Sequence, residues 1–453
     1  VGSDGMSADA RTGALVLSRA SVRDADGLVD ILLEDGRISV IAPAGQGMLP
    51  PSAEIVDVGG RVVAPAFSEP HLHLDKALLG GPSSGGALDA AIEYTAERKR
   101  DFTHADVEAR AERVLAAGLR AGTTAIRAQT EVDPIVGLLS VDVMHDLAAR
   151  HREWLDLQIA VFPQEGIRSR PGTLALMREA LRLPGTVVGG CPYTEADVAD
   201  ARAHVDTVLD LAAEFGTLAD LHLDLADDAT DERFALADYV AQATAARGLH
   251  GRVAIGHVTT LGALEPDRRA RTLDALAGAG VAVVVLPATD LYLVGRNDRR
   301  SVRRGVAPIG ELWRHGVRTA VSSNNIRNAF TPTGTADPLD MALLLGRVTF
   351  ASDPADFAAL HRAVTTDAAG VMGSERARGL AVGAPAELVV LDTHDAESVV
   401  VDQPARRLVI ARGRIVYTSA VSERFHGTAA DHFGGEMAAG LGGARRAEHA
   451  YGV

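Results

Sequence analysis

The middle of the chain, residues 66–382, alternates short apolar runs with longer amphipathic stretches. Each apolar run covers about five residues, and the segments between them, such as 106–122, place apolar residues at helical spacing. Strands that are almost continuously apolar and alternate with helices are typical of a parallel sheet. The runs read PAFSEPHLH, TTAIRA, LQIAVF, TVVGG, LADLHL, RVAIGH, VAVVVL and RTAVSS.

These eight strand–helix units predict an α/β fold, a closed (β/α)8 barrel of TIM type over residues 66–382. The alternative is an open, doubly wound sheet. The repeat number and the lack of a glycine-rich nucleotide loop favour the barrel.

The two flanks of this region have a different pattern, with shorter apolar runs that alternate with polar residues. Residues 10–65 include two such runs joined by EDGR at 34–37, which predicts a β-hairpin. The same pattern of short predicted strands recurs over 383–420 in AELVVLD, AESVVVDQ and RRLVIARGRIVYT. We therefore predict one small β-sandwich built from both flanks. The Gly/Ala-rich tail, 421–453, is either a helix with a loose end or a segment that orders against another subunit.

Composition and charge narrow the functional classes. The formal charge of −15 argues against a nucleic-acid partner, because binding phosphates requires a basic surface. The single cysteine, Cys191, fits a reducing compartment. No 18-residue apolar stretch or signal-peptide pattern occurs, so we expect a cytoplasmic protein with no membrane partner.

Polar residues collect where the predicted strands end, the edge at which barrel enzymes place their chemistry. His71 and His73 are two apart on one strand and so share a face, which makes a two-ligand platform for a divalent ion. His222 and His257 end two further strands. Four imidazoles on one rim favour a functional site over the alternative that each is an isolated histidine of the core. The other polar residues near strand ends are Gln164, Glu165, Cys191, Tyr193, Asp224, Asp290, Tyr292, Asn324 and Asn325.

Several separated segments resemble the amidohydrolase superfamily, specifically its cytosine deaminase-like branch, which includes triazine-ring aminohydrolases. The resemblance runs from about residue 13 to 418. It is carried by APAFSEPHLHLDK, AGTTAIRA, FPQEGI, DLHLDLADD, IGHVTT, LYLVGRND, RRGVAPIGELWRHGV, FTPTGTADPL and GLAVGAPAELVVLD.

The resemblance implies the barrel, the composite sandwich, one Zn or Fe ion and a small heterocyclic substrate. It places metal ligands at His71, His73 and His222. It makes His257 the residue that assists the attacking water and Gln164 the one that orients a pyrimidine-like ring. It also suggests a homo-oligomer.

Two positions depart from the family pattern. Leu225 stands three residues after His222, where the family has its catalytic glutamate, and Asn324 stands at the metal-binding, proton-accepting aspartate. Asn325 replaces a neighbouring acid that contacts substrate. Ring deamination needs a carboxylate that carries a proton from water to the ring and to the leaving amine, so ordinary cytosine deamination is not expected.

Three further acids are candidates for the missing roles. Asp224 shares a strand face with His222 and is a candidate catalytic acid, although an acid here also has a structural reading. Glu131 and Glu165 are more remote candidates. Tyr193, with Leu225 and both asparagines, is assigned to substrate binding. Asp75 and Lys76 are expected to form a structural pair at the rim, and Cys191 to be an inert buried thiol.

Three functional hypotheses follow. The first is a hydrolase of a C–N bond in a small nitrogen heterocycle or cyclic amide, with one divalent metal (Zn or Fe) at an atypical site. The second is a non-hydrolytic enzyme for isomerisation, elimination or cyclisation that uses His257 as acid/base, with or without metal. The third is a non-catalytic homologue, which the retained set of polar residues disfavours.

Overall fold

A computed structural model describes residues 13–47, 50–81, 86–422 and 424–427. The chain forms two compact units. One combines the N-terminal segment to Pro65 with Arg378–Val399 and the segment from Pro404, and the other comprises Ala66–Ala377 with Val400–Gln403. The tail predicted from 421 lies almost wholly outside the described residues. Within the described part of the chain, no helix has the length and apolarity needed to cross a bilayer.

The first unit is the predicted sandwich of two four-stranded sheets, with strand orders β3-β2-β1-β4 and β16-β15-β14-β5. Side chains from both sheets, among them Leu17, Ile31, Leu388 and Ile410, share one buried core. Both flanks of the chain are needed to bury that core. The strands are β1 Leu15–Ala20, β2 Val29–Glu34, β3 Arg37–Pro43, β4 Glu54–Asp57, β5 Val62–Pro65, β14 Leu388–Leu391, β15 Arg406–Ala411 and β16 Arg414–Thr418.

The predicted hairpin joins β2 to β3, with Glu34 paired to Arg37. Its two central residues, Asp35 and Gly36, have φ values of 49° and 73°. A two-residue turn with positive φ at both positions matches the right-handed twist of the strands, and the Asp-Gly sequence suits that conformation.

The strand expected at AESVVVDQ is wrong. Val399–Asp402 is a short helix, α13, in which Val399 and Val400 are buried. The preceding strand β14 already pairs with β5 on one side and β15 on the other, so β14 has no free edge to which this segment could add. A brief apolar run does not by itself distinguish a strand from a helix.

The second unit contains the eight predicted parallel strands in sequential order, β6 to β13. The circle closes where Asn324, just after β13, pairs with Leu72 of β6. Its backbone accepts from His73 N at 2.8 Å and donates to His71 O at 3.1 Å. The strands are β6 Phe67–Leu72, β7 Thr123–Glu131, β8 Asp156–Phe162, β9 Thr186–Gly190, β10 Ala219–Leu223, β11 Val253–His257, β12 Ala282–Val285 and β13 Thr319–Val321.

Helices follow the barrel strands, as the amphipathic stretches predict. The helix expected over 106–122 is α2, His104–Arg120, and its N-cap Thr103 accepts from the backbone N–H of Asp106. The other α-helices are α1 Leu88–Arg98, α3 Leu139–His151, α4 Thr173–Ala180, α5 Val198–Glu214, α6 Ala237–Ala246, α7 Pro266–Gly278, α8 Pro287–Leu293, α9 Ile309–Arg314, α10 Pro338–Thr349, α11 Pro354–Ala363 and α12 Thr366–Val371. Short 3-10 turns lie at Lys99–Asp101, Pro192–Thr194, Glu232–Phe234, Thr259–Ala263 and Glu375–Arg378.

Candidate active site

Three histidines meet at the carboxyl ends of the barrel strands. His71 and His73 come from the end of β6, His222 comes from β10, and all three are buried. Nε2 of His222 lies 2.9 Å from Nε2 of His71 and 2.9 Å from Nε2 of His73. Burial lowers the pKa of all three imidazoles, which are therefore neutral and carry lone pairs. One metal ion can be held where these three nitrogens converge.

A buried charge network lies behind His71. Its Nδ1 is 3.2 Å from Oδ1 of Asp220, whose other oxygen accepts from Arg127 at 2.8 Å. Although burial would raise the pKa of Asp220, His71 and Arg127 lower it, so the carboxylate is charged. A carboxylate on Nδ1 fixes the ring so that Nε2 faces the centre, the usual support of a metal-binding histidine. Sequence reasoning did not identify Asp220 or Arg127.

His257, at the end of β11, is held by a second carboxylate. Its Nδ1 lies 2.6 Å from Oδ1 of Asp290 on α8. Burial raises the pKa of Asp290 while His257 opposes that rise. With Nδ1–H donated to Asp290, Nε2 is left as the proton-accepting atom. The sequence marked Asp290 as a polar residue after the seventh strand but gave it no role.

Asn324 and Asn325 follow β13. Asn324 has φ 59°, a left-handed conformation that asparagine tolerates. Its side chain is buried, and neither its Oδ1 nor its Nδ2 has a hydrogen-bond partner among the described residues. Asn325 instead accepts from Asn328 at 2.7 Å. Buried polar groups normally have partners, so the Asn324 amide is available for a ligand.

Some of these residues, among them His73, His222 and His257, line one narrow pocket with a volume of about 10 Å³. The predicted substrate-binding residues Gln164, Tyr193, Leu225, Asn324 and Asn325 all line it. The complete lining is His73, Lys76, Leu88, Gln164, Tyr193, His222, Leu225, His257, Thr289, Asn324, Asn325 and Phe330. Since Leu225 lines the cavity, this position would present a carboxylate to a ligand if it carried the family's glutamate.

Asp224, a predicted catalytic residue, does not line the cavity. Its carboxylate accepts from the backbone N–H groups of Leu236 and Ala237, at 3.0 Å from each, at the start of α6. Burial raises its pKa to about 7. The structure therefore places this carboxyl group as an anchor for a helix.

The expected pairing of Lys76 with Asp75 at the rim is also wrong. Lys76 is buried, and its Nζ donates to Oε1 of Glu131 at 2.9 Å and to Oε1 of Gln164 at 2.7 Å. Asp75 accepts from the backbone N–H of Glu131 at 2.8 Å. This pairing could not be predicted from the spacing of residues in the sequence, because strand β7 brings Glu131 alongside Lys76 only in the closed barrel.

A second buried lysine joins Glu131 to two further acids. Nζ of Lys99 lies 2.9 Å from Oε2 of Glu131 and 2.5 Å from Oε1 of Glu165, and it also contacts Asp133. Burial and the charge of Glu131 raise the pKa of Glu165 to about 8, against the opposing effect of Lys99. We call Lys76, Lys99, Glu131, Asp133 and Glu165 the lysine–carboxylate cluster. Its acids contact lysines and are not on the cavity lining.

Cys191 is a buried thiol, and burial raises its pKa to about 12. A thiol that stays protonated is a poor nucleophile. Its Sγ lies 3.8 Å from Nε2 of Gln164.

Comparison with known proteins assigns the family. The model of the amidohydrolase family Amidohydro_3 matches residues 100–417. A pterin deaminase of Rhizobium rhizogenes is 30% identical over 395 residues, which cover 85% of this chain and 87% of the relative. The chain belongs to the amidohydrolase family, in its cytosine deaminase-like branch.

Solved structures agree with this assignment. A 5-methylcytosine deaminase from Klebsiella pneumoniae, liganded with 5-fluorocytosine, superposes with a TM-score of 0.83 at 27% identity, covering 91% of this chain and 99% of its own. An N-isopropylammelide isopropylaminohydrolase from Burkholderia multivorans has a TM-score of 0.78 at 30% identity, covering 90% and 98%.

Proposed function

We propose that this protein is a metal-dependent hydrolase that cleaves a C–N bond of a small nitrogen heterocycle or cyclic amide. The observation that carries the proposal is the convergence of three neutral imidazole Nε2 atoms beside the His257–Asp290 pair. The relatives, named for pterin, 5-methylcytosine and N-isopropylammelide, suggest a planar ring as substrate.

The donor set fits a divalent metal. His71, His73 and His222 would hold it, and three imidazoles are a known ligand set for catalytic zinc. The two 2.9 Å separations cannot both be ordinary hydrogen bonds. With its Nδ1–H directed at Asp220, His71 presents an unprotonated Nε2, and His222 Nε2 then has at most one proton for two neighbours. When bound, a divalent cation supplies the Lewis acidity that activates water and polarises a ring C–N bond. Imidazole ligands suit both zinc and iron, and zinc is the metal that known three-histidine catalytic sites hold.

The side chains supply the remaining functions. In the reaction, oxygen from water joins a ring carbon, the C–N bond breaks, and the amine leaves with a proton. We assign that proton to His257, which accepts it on Nε2 while Asp290 stabilises the charged ring through Nδ1–H. Gln164 and Asn324 offer amide groups to the heteroatoms of the ring, and Leu225 and Phe330 supply apolar walls. We assign Asp224 a positioning role through α6.

Metal content tests this proposal directly. Protein purified without added metal is analysed by elemental mass spectrometry beside a His71→Ala/His73→Ala double variant, with exposed His104→Ala as the control. We expect about one equivalent of zinc in the parent and the control and a large loss in the double variant, as for a three-imidazole site. Ammonia or amine release from a panel of amino-substituted rings should be abolished by chelation. A parent protein that binds no zinc even when zinc is supplied in excess would exclude this function.

A non-hydrolytic acid/base enzyme is the second candidate. It is favoured by the described cavity lining, which holds leucine and asparagine at the family's carboxylate positions. It predicts turnover that survives chelation and is lost in His257→Ala, which separates it from the hydrolase.

A further inference from the structure

The described lining of the cavity contains no carboxylate. Lys76 is its one lysine or arginine, and the remaining polar groups are imidazoles, amides and hydroxyls. The nearby acids are turned away from the cavity. Asp220 lies behind His71, and Asp290 lies behind His257. Among the described residues, the surface that meets a ligand therefore presents one formally charged group, the ammonium of Lys76.

Lys76 is placed to bind a ligand oxygen. An ammonium group has three N–H donors, and those of Lys76 reach two acceptors, Glu131 and Gln164, among the described residues. Nζ lies over the rings of Phe330 and Phe162, 4.5 Å and 5.4 Å from their centroids. Lys76 is buried, so a ligand oxygen in the cavity is well placed to accept from its third N–H.

Glu131 pairs with Lys76 from the side that faces away from the cavity. One of its oxygens accepts from Lys76 and the other from Lys99, so a single carboxylate is shared between two lysines. Lys99 is held in turn by Asp133 and Glu165, which fixes Glu131 in place. This arrangement points the positive end of the Lys76–Glu131 pair toward the cavity.

We propose that the substrate is a planar ring that carries a negative charge on an oxygen, and that Lys76 is the specificity-determining residue that selects it. The inference rests on the proposed function in taking this cavity as the substrate site. The replacements at Leu225, Asn324 and Asn325 have the same consequence, since each removes a negative charge that would repel an anionic ring. A charged acceptor also forms a stronger hydrogen bond with an ammonium than a neutral one does. The three replacements that argue against ordinary deamination thus also favour a negatively charged ligand.

Equilibrium binding tests the proposal without turnover. Isothermal titration calorimetry compares barbiturate, a six-membered cyclic imide that is anionic at neutral pH, with uracil, a neutral relative of the same ring size. In both metal-free and zinc-supplemented protein we expect barbiturate to bind at least about tenfold more tightly, as a charge-assisted contact requires. Lys76→Met should reduce the preference to about twofold or less, and Lys76→Arg should retain most of it.

Asn325→Asp provides a second variant in case Lys76→Met does not fold. It adds a negative charge to the lining at nearly constant volume and still accepts from Asn328. We expect it to weaken barbiturate about tenfold or more and to change uracil much less. Equal affinities in the parent, an unchanged preference in the folded variants, or failure of both rings to bind at millimolar concentration would overturn the proposal.

Separate ammonia-release assays distinguish this inference from the proposed function. Release from amino-substituted rings without anion preference would overturn the inference alone. Anion preference that depends on Lys76, without release from any ring, would overturn the hydrolase proposal alone.

Discussion

Glu165 should make the barrel less stable as pH rises from 5 to 8. Its folded-state pKa is about 8, against an ordinary value of 4.5, because burial and the charge of Glu131 both disfavour its ionised form. A carboxyl group whose pKa is raised on folding contributes its full stability below the unfolded pKa and loses it as pH rises through the folded pKa. The pH window of this effect is therefore about 4.5 to 8.

The magnitude follows from proton linkage. A single group changes the free energy of unfolding by at most about 1.4 kcal/mol per pH unit, so the loss between pH 5 and 8 is on the order of 4 kcal/mol. Glu131 affects the free energy of unfolding over a different pH range. Despite burial, Lys99 and Lys76 hold its pKa at about 2, so its contribution is lost only in acid, below pH 4.5. The cluster should stabilise the barrel most near pH 5.

Urea unfolding at fixed ionic strength checks this expectation. The chain has two tryptophans, Trp154 and Trp313, and both lie in the barrel unit, so their fluorescence reports barrel unfolding. Unfolding free energies at pH 5, 6, 7 and 8 are compared between the parent, Glu165→Gln and the exposed-site control Glu179→Gln on α4. We expect a falling profile in all three proteins, because the raised pKa of Asp224 also makes the barrel less stable over this range, with a slope shallower by up to about 1.4 kcal/mol per pH unit in Glu165→Gln. Identical slopes in all three proteins would refute the linkage reasoning.

Three further predictions concern other supports of the site. Asp220→Ala should weaken zinc binding about 10- to 100-fold, because the carboxylate that orients His71 is lost; chelator competition measures this. Gly256→Ala should destabilise the barrel by about 1–3 kcal/mol and weaken zinc binding, since its Cβ would lie 3.0 Å from Cε1 of His71; urea unfolding and zinc titration report the two effects. Glu195→Gln should cost up to about 3 kcal/mol at pH 7, because His204 and the backbone of loop 167–169 hold the pKa of Glu195 at about 2 despite burial. As the pH falls from 5 toward 3 in urea unfolding, this difference should shrink.

Each of these has its own contrary result. Zinc affinity of Asp220→Ala equal to that of the exposed-site control Asp146→Ala would remove Asp220 from the support of the metal site. Full stability and zinc affinity in Gly256→Ala would show that His71 has room to move. A Glu195→Gln difference that stays constant with pH would mean that Glu195 acts through packing and not through its charge.

The alternation of strands and helices could be predicted from the sequence, and so could the shared face of residues that stand two apart on one strand. His71 and His73 share a face because side chains alternate along a strand, and this follows from backbone geometry alone. The departures at Leu225 and Asn324 were readable because each is a change of side-chain chemistry at a position marked by neighbouring motifs. The strand predicted at AESVVVDQ failed because sheet membership depends on a free edge, which local pattern does not reveal.

The sequence by itself determined the barrel, the composite sandwich, the family and the set of candidate ligands. Only the tertiary structure decided what each charged side chain contacts. Asp224 anchors α6, Asp290 and Asp220 support two histidines, and Lys76 turns from its neighbour Asp75 to Glu131, which is 55 residues away. The physical reason is that strand period and composition are local properties, whereas the partner of a buried charge is set by which strands the closed barrel brings together.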